Sequence, residues 1–118
     1  TNMLMWHKEL WLIDHGASLY FHYSWVNWQK HAVSPFVQVK DHVLLPEASG
    51  LEEADAEMKR LLTEEKIVAL IPDDWLHWSE SPGRPQEIRE IYIRFLCERL
   101  AHSETFIKEA QDARKALI

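Results

Sequence analysis

Glycine is scarce in this chain. Gly16, Gly50 and Gly83 are the only three among 118 residues, each isolated, so no glycine-rich loop that cradles phosphates through its backbone N–H groups can be assembled from them. Cysteine is scarcer still. Cys97 stands alone, which excludes an internal disulfide and a Cys-based zinc cluster within one chain and leaves a small apolar side chain to be packed. No stretch approaches the run of about 18 apolar residues that a membrane span requires. The opening TNMLMWHKEL has neither the basic flank nor the small-residue cleavage site of a signal peptide, and a soluble, cytoplasmic protein is the expectation. Basic excess is also missing. The formal charge is -6 and Lys and Arg are scattered among acids, so nucleic acid is not an expected partner, for want of the counterion release that drives such binding.

What is plentiful is apolar surface, 47% of residues, with six tryptophans. That suffices for one domain with its own core, residues 1–118. The tryptophans come in pairs, Trp6 with Trp11, Trp25 with Trp28, and Trp75 with Trp78. Paired aromatics can mark a binding surface, but ordinary core and edge packing is the favoured reading, because Trp mostly supplies buried area.

The first residues read as a β-hairpin. Met3 to Trp6 is apolar, His7, Lys8 and Glu9 form a polar turn, and Leu10 to Ile13 is apolar again. Neither run alternates, so both faces are expected to be covered. The second run ends at Asp14, His15 and Gly16, with Gly16 expected to take the turn that other residues resist. Leu19 to Trp28 reads as irregular or short helical structure broken between His31 and Pro35, and FVQVKDHVLLP fits a short strand or a helical turn equally. The second half is helical. Ser49 precedes Glu52 at capping-box spacing, and Leu51, Ala54, Met58, Leu61 and Leu62 then share one face. Thr63 is placed to cap a short helix carrying Ile67, Leu70 and Ile71, stopped by Pro72. Asp73 to Arg84, with Pro82 and Gly83, is a connector. Pro85 suits the first turn of a long helix bearing Ile88, Ile91, Tyr92, Phe95, Leu96 and Leu100. Ser103 can cap a last helix whose Phe106, Ala110, Ala113 and Leu117 face inward while Glu109, Asp112 and Lys115 face water, and the short link predicts an antiparallel helical hairpin. The expected class is α+β and mostly helical, with an N-terminal β-hairpin packed on a helical bundle.

Chemistry concentrates in LWLIDHG, Leu10 to Gly16, after NMLMWH, Asn2 to His7. A carboxylate leaving a strand into a tight turn is held rigidly enough to ligate Mg²⁺, which demands hard oxygens in near-octahedral order. Spacing alone favours a plainer role for Asp14, a carboxylate capping the turn through nearby backbone N–H groups. Taken together, TNMLMWHKELWLIDHGASLYFH resembles the metal-binding hairpin of HipA-like serine/threonine kinases, and DHVLLP (Asp41 to Pro46) with the helices after it suits the C-terminal lobe of that family. The resemblance implies an ATP- and Mg²⁺-dependent phosphoryl-transfer fold, with Asp14 as the metal-coordinating acid two residues before a glycine. Asn2 is then either the second metal ligand or a neighbour of a ligand lying before Thr1. His15 occupies a position that protein kinases usually give to an aromatic residue, so that aromatic's regulatory role does not carry over.

The rest of such a site is missing. A glycine-rich loop, a strand lysine ahead of the hairpin and a catalytic-loop aspartate before Asn2 are not found in the sequence, and catalysis of this kind is nearly all positioning and charge stabilisation. The chain is therefore expected to be inactive alone: either a fragment that needs a separate N-terminal kinase lobe, or a non-catalytic module that self-associates as a homodimer through apolar surface around the hairpin and Trp6 or Trp11. A weaker alternative gathers His7, His15 and His22 around Zn²⁺ or another transition metal, although their spacing matches no ligand pattern and scattered histidines are the favoured reading. His31, His42, His77 and His102 show no partner pattern. Glu52, Glu53, Asp55 and Glu57 read as a solvated helix face, and Asp73 and Asp74 as turn residues.

Overall fold

The computed structural model of the chain describes residues 2–23, 25–77 and 83–118. Trp78 and Pro82, in the expected connector, lie outside the described residues. Strands β1 (Met3–Trp6) and β2 (Glu9–Leu12) form a two-stranded antiparallel sheet in the register Met3 to Leu12, Leu4 to Trp11, Met5 to Leu10 and Trp6 to Glu9. His7 and Lys8 both hold positive φ, 51° and 66°. This is the two-residue turn whose twist matches that of the flanking strands.

The expected covering of the hairpin is not what the structure has. Register places Met3, Met5, Leu10 and Leu12 on one face and Leu4, Trp6, Glu9 and Trp11 on the other, so both faces are largely apolar. Every β2 residue is exposed and only Met3 of β1 is half-buried. Two four-residue strands contact each other and none of the helices to any extent. The radius of gyration, 15.9 Å, accordingly exceeds the 13.5 Å or so of a compact chain of this length.

The core forms elsewhere, around helix α4 (Pro85–Ala101). Ile88, Tyr92 and Phe95 recur at helical spacing and are buried. Phe21, from the 3-10 turn Tyr20–Tyr23, packs on them with Ala32 of α1 (Trp28–Ala32), Ile67 of α3 (Glu64–Leu70), Ile71, and Leu76 of the turn Asp73–His77. Trp25 and Trp28 pack half-buried against this cluster. Helix α1 ends at Ala32, within the break expected between His31 and Pro35. Thr63 caps α3 as anticipated, its hydroxyl accepting from the Lys66 N–H at 3.4 Å, and Ile67 and Ile71 are buried while Leu70 stays exposed. The pattern FVQVKDHVLLP resolves into 3-10 turns, Val37–Asp41 and Leu45–Glu47, with Leu45 buried. At the start of α4, Pro85 takes the first helical position and Glu87 accepts from the Arg84 N–H at 2.7 Å.

Helix α2 (Leu51–Leu61) departs from expectation. None of its residues is buried, and its N-cap is Gly50 rather than Ser49, whose N–H is used in a turn to Glu47. Helix α5 (Glu104–Leu117) does not fold back on α4. It lies against the two turns of residues 37–47 and against α2, where Gln111 donates to Glu52 at 2.8 Å and Arg114 donates to the Pro46 carbonyl at 3.0 Å. Ala110 is buried, Phe106 and Ala113 are half-buried, and Asp112 and Lys115 are exposed, as expected, but Leu117 is exposed and Glu109 half-buried. Ser103 stands at the N-cap of α5 as expected, but its side chain makes no capping hydrogen bond. Fully buried, its hydroxyl completes no hydrogen bond among the described residues, yet it is the largest cause, against a partly opposing desolvation and ahead of the Lys59 ammonium at 3.0 Å, of an Asp55 carboxyl held below its usual range. Among the described residues no helix is long and apolar enough to cross a membrane.

Candidate functional site

The open end of the hairpin is tied by one residue. Asn2 accepts the Ile13 N–H on its backbone carbonyl at 3.0 Å, which extends the ladder by one pair, and donates its side-chain amide to the Asp14 carbonyl at 2.5 Å. Asp14 sits immediately beyond the paired strand with φ 54°, while none of the glycines has positive φ. The left-handed residue is thus Asp14 and not Gly16. Aspartate is among the few non-glycine residues that take this conformation readily, because its short polar side chain can bond locally. The consequence is an acid whose backbone is fixed on both sides: by the ladder before it and by the Asn2 amide across it.

Both residues line an open cleft of about 530 Å³, walled also by Ala17, Phe36, Gln38, Asp41 and His42. The far wall is the 3-10 turn Val37–Asp41 and the residue after it. His42 accepts the Leu44 N–H on Nδ1 at 3.2 Å. That bond assigns the ring proton to Nε2, leaving a donor. Buried Leu45, three residues on, anchors this wall. Oxygens of Asp14, Asp41, Gln38 and Asn2 thus share a cleft with one imidazole N–H. Among the described residues Asp14 and Asp41 enter no salt bridge.

Asn2 and Asp14, the two ligand candidates of the sequence, are brought together. Gln38, Asp41 and His42 were not anticipated as their neighbours. The signal available was the adjacent acid and imidazole of DHVLLP, just before three apolar residues and a proline, but a 3-10 turn leaves no periodicity from which its facing could be inferred.

The three histidines considered for zinc are placed differently. His7 sits at the hairpin tip against Trp6, ring centroids 4.3 Å apart. His22 belongs to the core aromatics, with its ring 4.9 Å from Phe21, 5.4 Å from Trp25 and 5.3 Å from Tyr92. Among the described residues no group of three His, Cys, Asp or Glu side chains is arranged to hold a metal ion. The Nε2 atom of His22 is buried without a partner among the described residues, and burial pushes its pKa down. Cys97 packs half-buried beside the core, and burial, followed by Glu64, Glu98 and Glu90, raises its thiol pKa, the opposite of what a nucleophile needs. Comparison of the chain with protein-family models, curated proteins and solved structures found no match.

Proposed function

We propose that this chain is the metal-holding half of a phosphoryl-transfer site of the HipA-like kinase kind, a partial C-terminal lobe that does not catalyse alone. The observation that supports this reading most is the meeting of Asn2 and Asp14, 12 positions apart, at the rim of a cleft. Two hard oxygen donors, the Asp14 carboxylate and the Asn2 side-chain carbonyl, suit Mg²⁺, which takes one or two protein oxygens and completes its octahedron with water and phosphate. Asp14 and Asn2 would hold the Mg²⁺, which would supply positive charge to offset that of phosphate oxygens. The chain's own part is positional. The strand and the left-handed turn hold the Asp14 backbone, the Asn2 amide ties it, and the Nε2–H of His42 is a donor for an anionic oxygen within the same cleft. A glycine-rich loop and a phosphate-contacting strand lysine are not among the 118 residues, so a separate N-terminal lobe would have to supply them, and ATP with Mg²⁺ is expected to show no saturable binding to this chain below roughly millimolar concentration.

Titration with Mn²⁺, followed by its paramagnetic signal, tests the half-site directly. Wild type is expected to bind on the order of 1 mM, as suits few and exposed ligands. Binding should vanish in Asp14→Ala and weaken severalfold in Asn2→Ala. Unchanged Mn²⁺ binding in Asp14→Ala would end the reading.

A second reading is favoured by the exposed hairpin: a kinase-derived module whose role is to associate with itself. Leu4, Met5, Trp6, Leu10, Trp11, Leu12 and Ile13 are all exposed. Contiguous apolar surface of this kind is seldom left uncovered in a working protein.

A further inference from the structure

We infer that the gap between α3, the C-terminal end of α4 and Phe106 is a binding site for a small apolar monocarboxylate, which places its body among leucines and its carboxylate on Arg99. The inference is independent of the metal half-site and of the hairpin.

Because α5 leaves α4 for the turns of residues 37–47, the end of α4 lacks the cover that an antiparallel helix would give. There Leu96 and Leu100 of α4, Ile67 and Leu70 of α3, Leu62 and Phe106 enclose a cavity of about 220 Å³. The seventh residue of its lining is Arg99, the one that is not apolar. Ile67 belongs to the core at 3% exposure and Leu70 is 65% exposed, so the cavity reaches from the core to the surface. Unfilled apolar space forfeits dispersion contacts along its lining, and an apolar guest restores them. An apolar cavity of about 150 Å³ accommodates benzene. This one has room for a ring with a short extension.

What selects a carboxylate is the state of Arg99. A guanidinium carries five N–H donors, two of them on each Nη and one on Nε. Nη1 spends both of its own on the carbonyls of Ala32, at 3.2 Å, and Ser34, and the group lies over the Phe106 ring, 4.2 Å from its centroid. Among the described residues Nε and Nη2 donate to nothing, and Arg99 enters no salt bridge. Arg99 is half-buried, and burial lowers its pKa with no acid acting against it. A cation withdrawn from water calls for an anion. The Nε–H and the neighbouring Nη2–H lie parallel along one edge of the plane, the fork that takes both oxygens of a carboxylate at once. The Nη1 bonds and the Phe106 stack already hold that edge, so little freedom is lost when it is used. Inorganic phosphate would also suit the fork but has no apolar body for the cavity. Fork and cavity together specify an apolar acid.

The probe is phenylpropionate, with phenylpropionamide as its uncharged counterpart, each titrated into the whole chain and followed by methyl NMR. The acid is expected to shift the methyls of Ile67, Leu70, Leu96 and Leu100 and to saturate with a Kd on the order of 1 mM, as suits a ligand of this size. The amide should bind about tenfold more weakly, since it brings no charge to the guanidinium. Arg99→Lys keeps the charge and loses the fork, and should weaken the acid about tenfold while leaving the amide unchanged. Because Arg99 also ties Ala32 and Ser34, Leu70→Asp supplies a second variant at an exposed position. Its carboxylate repels that of the ligand and should weaken the acid about fivefold with little effect on the amide. An acid that binds no more tightly than its amide, shifts confined to other methyls, no saturable shift at all, or equal affinity for the acid in wild type and Leu70→Asp would each overturn the assignment.

Discussion

Helix α4 and the N-terminal hairpin are both rich in apolar residues, and they meet opposite fates. Along α4, Ile88 is 0%, Tyr92 2% and Phe95 7% exposed, whereas on β2 Leu10 is 57% and Leu12 65% exposed. The helix carries its buried residues Ile88, Tyr92 and Phe95 on one face and charges such as Glu90 and Arg94, paired at 3.3 Å, on another. A single stripe asks for one covering layer, and Phe21, α1 and α3 provide it. The hairpin carries apolar residues on both faces and asks for two layers, which the rest of the chain does not supply. Apolar content alone therefore does not say what is buried; the number of faces that must be covered does.

The sharpest way to break this contrast is to damage the core. Phe21 is fully buried and makes ring contacts with Trp25, Tyr92 and Phe95 at centroid separations of 5.4, 5.7 and 4.7 Å. Phe21→Ala is expected to cost about 3–5 kcal/mol by denaturant unfolding, through lost transfer energy and a residual cavity. That is a large share of the roughly 5–15 kcal/mol that holds a domain of ordinary stability. A loss under about 1 kcal/mol would mean the core is not centred on α4.

A smaller effect should come from His22 in the same cluster. Burial lowers its folded-state pKa below the ordinary value of 6.5, so the unfolded chain takes up the proton first on acidification. The sign follows from linkage: the stability that neutral His22 contributes is fully present above 6.5 and is lost as pH falls from there through the folded pKa. Melting temperature should drop on going from neutral pH into the mildly acidic range, and His22→Phe, which keeps the aromatic packing without the titration, should flatten that part of the profile. Carboxylates such as Asp55, also held low, act with the same sign but nearer pH 4, below this window. An unchanged slope in His22→Phe would place the titration elsewhere.

Where the sequence was legible, a local signal coincided with a tertiary partner. Thr63, Pro72 and Pro85 bound α3 and α4 as their chemistry requires, and the stripe on α4 is the core. The hairpin was readable because apolar runs flank a polar turn, although its second strand is Glu9–Leu12 and not Leu10 to Ile13. Illegible parts were those decided by what packs against what. Ser49 and Ser103 stand where caps are expected, yet Gly50 starts α2 and Ser103 is enclosed between α5 and Asp55. A short link suggested that α5 returns along α4, but the turns of residues 37–47 offered it Pro46 as a hydrogen-bond acceptor and a surface to lie on. Arg99 of α4 donates to the Ala32 carbonyl at 3.2 Å and to that of Ser34, and stacks over Phe106 at the start of α5 at 4.2 Å. In the candidate site, Asn2 and Asp14 were readable as neighbours because strand pairing is regular. Asp41 and His42 were not, since the turn that carries them across the cleft has no period.

The finest test of the contrast is a substitution expected to do almost nothing. Trp11 presents 46% of its surface to solvent, and its one aromatic partner among the described residues is Trp6, at 5.7 Å on the same hairpin face. Aromatic pairs of this kind contribute about 0.5–1.5 kcal/mol to the element that holds them, but here that element is not joined to the core. Trp11→Thr keeps the β-propensity and removes the ring. Measured by denaturant unfolding at low protein concentration, with the core aromatics as the probe, the change should stay within about 0.5 kcal/mol, the range of ordinary surface substitutions. A loss of about 2 kcal/mol or more would require the hairpin to share the unfolding transition of α4, which can happen only if its apolar faces are covered by the chain's own helices.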